Sequence, residues 1–246
     1  MTLRHGGGSE VNIAKMLEAH YNGEINIADY WAVGDTRTES ITAIASGTTG
    51  ETQDTQEVEL IIIGINHDNK ADGSGKAAIT VQTKNTLVTT GVMYSSYSGP
   101  DYSLWSTCPR RTWCNNDFKS SLSNWIQNLI QTVSKITNRY AWETYSAYRG
   151  QTTTTDDVFL LSEFEVFGSH QYLKSTYGSL NSDGTQYDYM KTESNRIKSG
   201  GSSTWWIRTS MVESNLNSGI YLVTSSGSAS VYPSNYSFGI APAFCL

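Results

Sequence analysis

Charge is scarce in this chain. Asp, Glu, Lys and Arg supply 16% of its 246 residues, against about 25% in ordinary soluble proteins. Arg110-Arg111 is the only adjacent basic pair, and the net charge is −6. Binding along a phosphate backbone needs a basic stripe, so nucleic acid is not an expected partner. An anionic membrane surface is set aside on the same ground. Cysteine is sparse and odd in number: Cys108, Cys114 and Cys245. That count argues against a full disulfide framework. Cys108 and Cys114 could pair, but buried free thiols are the simpler expectation, and they fit assembly in a reducing cytoplasm. No apolar run approaches the roughly 18 residues of a membrane span, so no membrane insertion is expected. The opening residues Met1 to Gly8 lack the apolar core of a secretion signal. Release by another route, such as lysis, is therefore expected if the protein acts outside a cell.

Familiar catalytic signatures are missing as well. His5-Gly6-Gly7-Gly8 has the form of an esterase oxyanion tetrad, but no Gly-x-Ser-x-Gly accompanies it, and a flexible leader is the better reading. The four histidines, at positions 5, 20, 67 and 170, make no zinc spacing. No glycine-rich nucleotide motif occurs. The loop Asn66–Lys76 gathers Asp68, Asp72 and Gly73. However, Lys70 stands where a calcium loop needs an oxygen ligand, so an Asx-rich turn is expected. Glu163 and Glu165 are the one carboxylate pair that could do glycosidase work across a cleft; capping a helix is the simpler role. Neither metal nor cofactor is expected, and no enzyme.

What remains is a palette of Ser, Thr, Asn, Gly and Tyr, which favours strands, turns and neutral polar surfaces. Ser9 reads as an N-cap for a helix carrying Ile13, Leu17, His20 and Tyr21, stopped at Asn22-Gly23. Glu57–Ile65 reads as a strand buried on both faces, with Ala77–Gln82 a second. Trp105–Ile136 reads as the main helical region, with Phe118, Leu122, Trp125, Ile126, Leu129, Ile130 and Val133 at helical spacing. Asn115 and Asn116 leave one helix or two equally open. Gln151–Thr155 reads as a polar loop, Val158–Leu161 as a short strand, and Ser162–Glu165 as a capping box. Residues 169–201 read as irregular. Short strands follow near Thr204–Ser210, Ile220–Thr224, Ala229–Tyr232 and Phe238–Ala241. Trp205 and Trp206 are adjacent, so alternation predicts one in the core and one partly exposed. The fold class is α+β, with helices in the first two-thirds and strands and loops at the end.

Residues 201–246 carry only two charged side chains, Arg208 and Glu213. The loops between the late strands are built from Ser, Asn, Tyr and Gly, a composition shared by binding loops and by ordinary polar loops. Trp205-Trp206-Ile207-Arg208-Thr209, followed by Gly239-Ile240-Ala241-Pro242-Ala243-Phe244, resembles the ending of a family of C-type-lectin-like domains. These occur in phage tail and receptor-binding proteins and in surface proteins of gut bacteria, and are related to retroelement-diversified tip proteins. Residues Asp29–Arg37, Glu59–Asp68, Arg111–Asn115 and Phe159–Gly168 resemble further motifs of that family, in order. Thr209 stands where the family usually has Ser, and Ile240-Ala241 where it usually has Val-Arg. The lectin calcium motifs are absent.

The resemblance implies a loop-rich C-type-lectin-like binding domain over residues 29–246, preceded by a leader and helix over 1–28 for attachment or oligomerisation. It implies buried anchors at Trp205, Trp206, Arg208, Pro242 and Phe244. The candidate contact surface is Asn215, Asn217, Tyr221, Tyr232, Asn235 and Tyr236. The function so implied is a phage virion receptor-binding or adhesion protein, made in the host cytoplasm and carried on the tail or capsid surface. Its expected partners are a bacterial surface receptor (protein or glycan), other virion proteins, and further copies of itself, with a trimer as one arrangement. A structural or decoration protein of the particle is the first alternative, and a carbohydrate-active enzyme using Glu163 or Glu165 the second.

Overall fold

The computed structural model describes residues 9–45, 47–95, 104–171, 180–212 and 218–246. Helix α1 (Glu10–Tyr21) begins where the Ser9 side chain accepts from the Asn12 amide, and its Ile13 and Leu17 face the core. The strands β1 (Thr36–Ile41), β2 (Gln56–Ile65) and β3 (Ile79–Thr83) follow. Strand β2 turns from alternating to continuously buried along its length, as its run of isoleucines requires.

The middle of the chain departs from its helical spacing. Helix α2 (Pro109–Trp113) runs into a π-helical turn (Cys114–Phe118) and then α3 (Lys119–Ser121). Leu122 is extended, at ψ 155°, and breaks the rod before α4 (Asn124–Leu129). Val133 and Ile136 are not helical: they belong to strand β4 (Val133–Ala141). The apolar spacing from Phe118 to Val133 is the sum of separate short elements that meet the same core.

Strand β5 (Gly150–Asp156) replaces the expected polar loop. Its four threonines are β-branched and suit an edge strand, and all pair with β4. Strand β6 (Val158–Phe159) and helix α5 (Glu163–Phe167) follow, the latter opened by the capping box of Ser162 and Glu165. Two 3₁₀ turns, Asp188–Lys191 and Glu193–Arg196, lie within the region read as irregular. The last strands are β7 (Trp205–Val212), β8 (Ser218–Val223), β9 (Ala229–Pro233) and β10 (Ala243–Cys245). Phe238 and Gly239 make isolated bridges to Gly91 and Trp205; the strand expected at Phe238–Ala241 forms later, beyond Pro242.

Two five-stranded sheets result, in the orders β1-β2-β3-β10-β6 and β5-β4-β7-β8-β9. The chain is therefore α+β. Strand β10 sits between β3 and β6, so the end of the chain completes the first sheet. Every residue of β7, the central strand of its sheet, is buried. Trp205 and Trp206 are accordingly both at 0% exposure, and neither is the partly exposed member of a pair. Their indole N–H groups donate to the Arg196 and Gly91 carbonyls. Arg208, Pro242 and Phe244 are buried with them. All three cysteines are buried and unpaired.

The approach to β7 is strapped to residues 83–91. Lys198 is buried under the Trp205 ring and donates to the Thr83 and Lys84 carbonyls at 2.9 and 3.0 Å. Gly201 donates to the Leu87 carbonyl, and a side chain there would collide with the backbone of Leu87 and Val88. Replacing Gly201 by Ala is expected to cost about 1–3 kcal/mol, read as a lower urea midpoint with an unchanged slope.

Candidate functional site

Beneath β7 lies a cluster of buried charges. Strand β4 turns alternate residues inward, and two of these are Lys135 and Thr137. The Lys135 ammonium donates to Glu165 Oε1 at 3.1 Å, to the Tyr187 hydroxyl at 2.9 Å, and to Asp68 Oδ1. Asp68 Oδ2 accepts from Tyr187 and Thr80 and meets the Cys245 thiol. Arg208 grips Glu165 with both terminal nitrogens, at 2.6 and 3.0 Å. Its remaining N–H groups go to Thr137 Oγ1 and to the Leu160 and Ile136 carbonyls. Glu165 Oε2 also accepts the Ser162 amide, so one carboxylate both caps α5 and clamps β7.

The electrostatics follow from this geometry. Burial alone would push the Asp68 and Glu165 carboxyls up. Lys135 and His67 at Asp68, and Arg208 and Lys135 at Glu165, outweigh it and hold both below the usual carboxylate range. Burial likewise depresses Lys135, but Asp68 and Glu165 more than restore it, so its ammonium is held more tightly than usual. Asp68 is thus spoken for within the fold. Asp72, further along the same loop, accepts the Ser74 amide at 2.9 Å and closes an Asx turn.

The two glutamates read as a carboxylate pair diverge. Glu165 is locked by Arg208 and Lys135. Glu163 accepts the Tyr140 hydroxyl and the Gln171 amide, each at 2.7 Å, with His170 Nδ1 2.6 Å from the same hydroxyl. Burial, with Asp183 adding to it, pushes the Glu163 carboxyl up to about 7. Both side chains are buried; Glu165, with Asp68 and Lys135, lines a small pocket, and Glu163 does not line it. His5 to Gly8 lie outside the described residues.

The surface above β8 and β9 has a different character. Residues 218–246 contain no Asp, Glu, Lys or Arg. The turn after β9 is tied to residues 91–94: Ser234 O accepts the Met93 and Tyr94 amides, and Phe238 exchanges two backbone hydrogen bonds with Gly91. These ties leave Tyr232 at 42% and Tyr236 at 52% exposure. The two rings stand edge to face at 5.7 Å, and both pack on Phe238, at 5.2 and 6.3 Å. Phe238 in turn meets the buried Trp206 ring at 5.1 Å. An aromatic ladder therefore runs from core to solvent. Asn235 is half-buried between the tyrosines in sequence, and its Oδ1 has no hydrogen-bond partner.

Of the candidate surface residues, Tyr232, Asn235 and Tyr236 come together on one turn. Tyr221 does not join them: it is 1% exposed and packs against Tyr140. The reason is its position on β8, held between β7 and β9, with its ring turned onto Tyr140 of β4. Asn215 and Asn217 lie outside the described residues. Phe238 was missed by reading it as a strand residue; it makes only an isolated bridge, to Gly91, and local spacing gives no sign that its ring meets both tyrosines.

Residues 83–246 match a family described as a domain of unknown function, DUF6273. This chain belongs to the DUF6273 family. The matched span takes in β4 through β10, and with them Lys135, Glu165, Arg208 and the aromatic turn; Asp68 lies before it. No curated protein and no solved structure matches the chain.

Two outcomes are expected of the DUF6273 core. Lys135→Met removes the cation between two ionised carboxylates and should cost about 3–5 kcal/mol in denaturant unfolding. Glu163, in contrast, gives a pH dependence. The folded chain holds its proton more tightly than the unfolded chain, whose ordinary value is 4.5. Its contribution is present in full below that value and is lost as pH rises through about 7. Glu163→Gln, with Tyr140, His170 and Asp183 left facing it, should flatten the stability profile over that window and be the more stable form at alkaline pH.

Proposed function

We propose that this chain is a receptor-binding or adhesion protein of a phage particle, recognising a bacterial host surface through the turn after β9 and the loops beside it. The observation that carries the recognition role is the exposed Tyr232–Tyr236 pair. It stands on an aromatic base, in a segment (218–246) that carries no charged side chain, and the fold does not need either hydroxyphenyl ring for its core. Exposed tyrosines supply large contact area with little side-chain entropy to lose, and the ties to residues 91–94 have already ordered the backbone that presents them.

The phage setting and a C-type-lectin-like identity for the α+β scaffold rest on the ordered sequence resemblance. In this reading Asn215 and Asn217 extend the contact surface, and display in several copies multiplies weak single contacts. Binding, rather than catalysis, is favoured by the buried fate of Glu163 and Glu165, whose carboxylates serve the fold.

The test is binding of the labelled chain to a panel of candidate host bacteria. Tyr236→Ala and Tyr232→Ala should each weaken binding at least about tenfold while leaving the unfolding midpoint in place. Because residues 218–246 carry no charged side chain, binding through them should change little with ionic strength. Variants that bind as well as the parent chain would overturn the assignment of the surface. An intact chain that binds no host cell, with the tyrosine turn buried against another virion protein in the particle, would favour the decoration role instead.

A further inference from the structure

The two described sheets end in four edge strands, β1 and β6 in the first and β5 and β9 in the second. An edge strand carries a row of unpaired backbone groups, and proteins usually blunt it with charge, proline, shortness or a cover. Three of these four are blunted. Strand β1 carries Arg37 and Glu39. Strand β6 is two residues long, and the Asn115 side chain takes both the N–H and the C=O of Val158, at 3.3 and 3.0 Å. Strand β9 ends in Pro233, which has no N–H to offer.

Strand β5 is the exception. It runs for seven residues in unbroken register with β4, and Gly150–Thr155 contains neither charge nor proline. Alternation decides which of its groups are open: an antiparallel residue turns its N–H and C=O together, either toward the neighbouring strand or away from it. The Thr155 carbonyl turns away from β4, to Arg111 at 2.9 Å. Thr153 and Gln151 therefore turn theirs to the same outer side. Their β4 partners agree: the Ile136 carbonyl accepts from Arg208, and the Asn138 N–H donates to Asp183. Gln151, Thr153 and Thr155 are all exposed. Ile136, opposite Thr153, is 41% exposed as well.

The chemistry of the edge selects its cover. Charged groups at its two ends are paired within the chain, Arg149 with Glu143, Arg111 with Asp156 and Lys119 with Asp157, which favours a neutral partner. A neutral, extended, β-branched strand fits, and β5 is itself one. Two β5 strands paired antiparallel form an isologous contact, which closes at two copies.

We propose that a second copy of this chain pairs antiparallel along β5, with Thr152 opposite Thr152 at the two-fold axis. Gln151 and Thr153 of each copy then exchange four backbone hydrogen bonds, and the Arg111 tie to Thr155 stays in place. The five-stranded sheets of the two copies join into one of ten strands, with β9 and its tyrosine turn at either end. This gives a dimer in place of the expected trimer, and it holds whatever the tyrosine turn binds.

Sedimentation equilibrium of the full chain is the test. At about 100 µM, a range suited to a small edge contact, the mass should be twice the 27.1 kDa of one chain. Thr153→Lys alters an exposed side chain and blunts the edge with charge; it should return the mass to one chain with the circular dichroism spectrum unchanged. Thr152→Cys should give a disulfide-linked dimer on mild oxidation, because a non-hydrogen-bonded pair brings its Cα atoms to about 4.5 Å, within disulfide reach. The parent chain, whose three cysteines are buried, should not cross-link. A one-chain mass at that concentration, a trimer, a Thr153→Lys variant that still dimerises, or a dimer that Thr152→Cys does not cross-link would each overturn the pairing.

Discussion

The arrangement turns on one buried salt cluster. Arg208 of β7 clasps Glu165 of α5, and Lys135 of β4 joins Glu165 to Asp68, which in turn holds Tyr187 and Thr80. Five segments distant in sequence meet there, and Thr80 of β3 brings in the first sheet. Burying four charges is costly, so the geometry has to be complete: all five guanidinium N–H groups of Arg208 and all three ammonium protons of Lys135 have acceptors. Such a cluster gives little net stability over an apolar core, but it penalises any mispaired alternative heavily. That suits a fold with short helices, whose elements have little independent reason to find their places.

The cluster also explains how the opposite surface can be so plain. With β7 pinned from below and strapped at its start by Lys198, the hairpin of β8 and β9 and the turn after it need only backbone ties. Trp206 and Phe238 carry the core outward to Tyr232 and Tyr236. The outer faces of Tyr232 and Tyr236 are then open to serve recognition, because no salt bridge holds them.

The two ends of the C-terminal region, Trp205–Arg208 and Pro242–Phe244, were legible from motif and hydropathy, as was the capping box at Ser162. Glu165's second task was not, because its partner lies 43 residues further on and local spacing carries no sign of it. Lys135 was hidden for a related reason: a buried lysine looks like a solvent-facing one until its carboxylates are seen. It also sat inside an apparent helix made of unrelated apolar positions. Strand β5 was missed because threonines pairing along a sheet edge read as polar loop. Tyr221 and Tyr232 are chemically alike in sequence; only their places on a covered and an edge strand separate core from surface.

Native-state hydrogen exchange tests the central role of the cluster most directly. The Arg208 amide, bonded to Leu161, and the Asn138 amide, bonded to Asp183, should exchange only through global unfolding, with opening free energies equal to the value from denaturant melts. The amides of Gly227, Ser228 and Tyr236 should exchange far faster, through local opening. Protection in the opposite order, with Arg208 and Asn138 opening sub-globally while the β8–β9 turn stays closed, would contradict a fold organised around these buried charges.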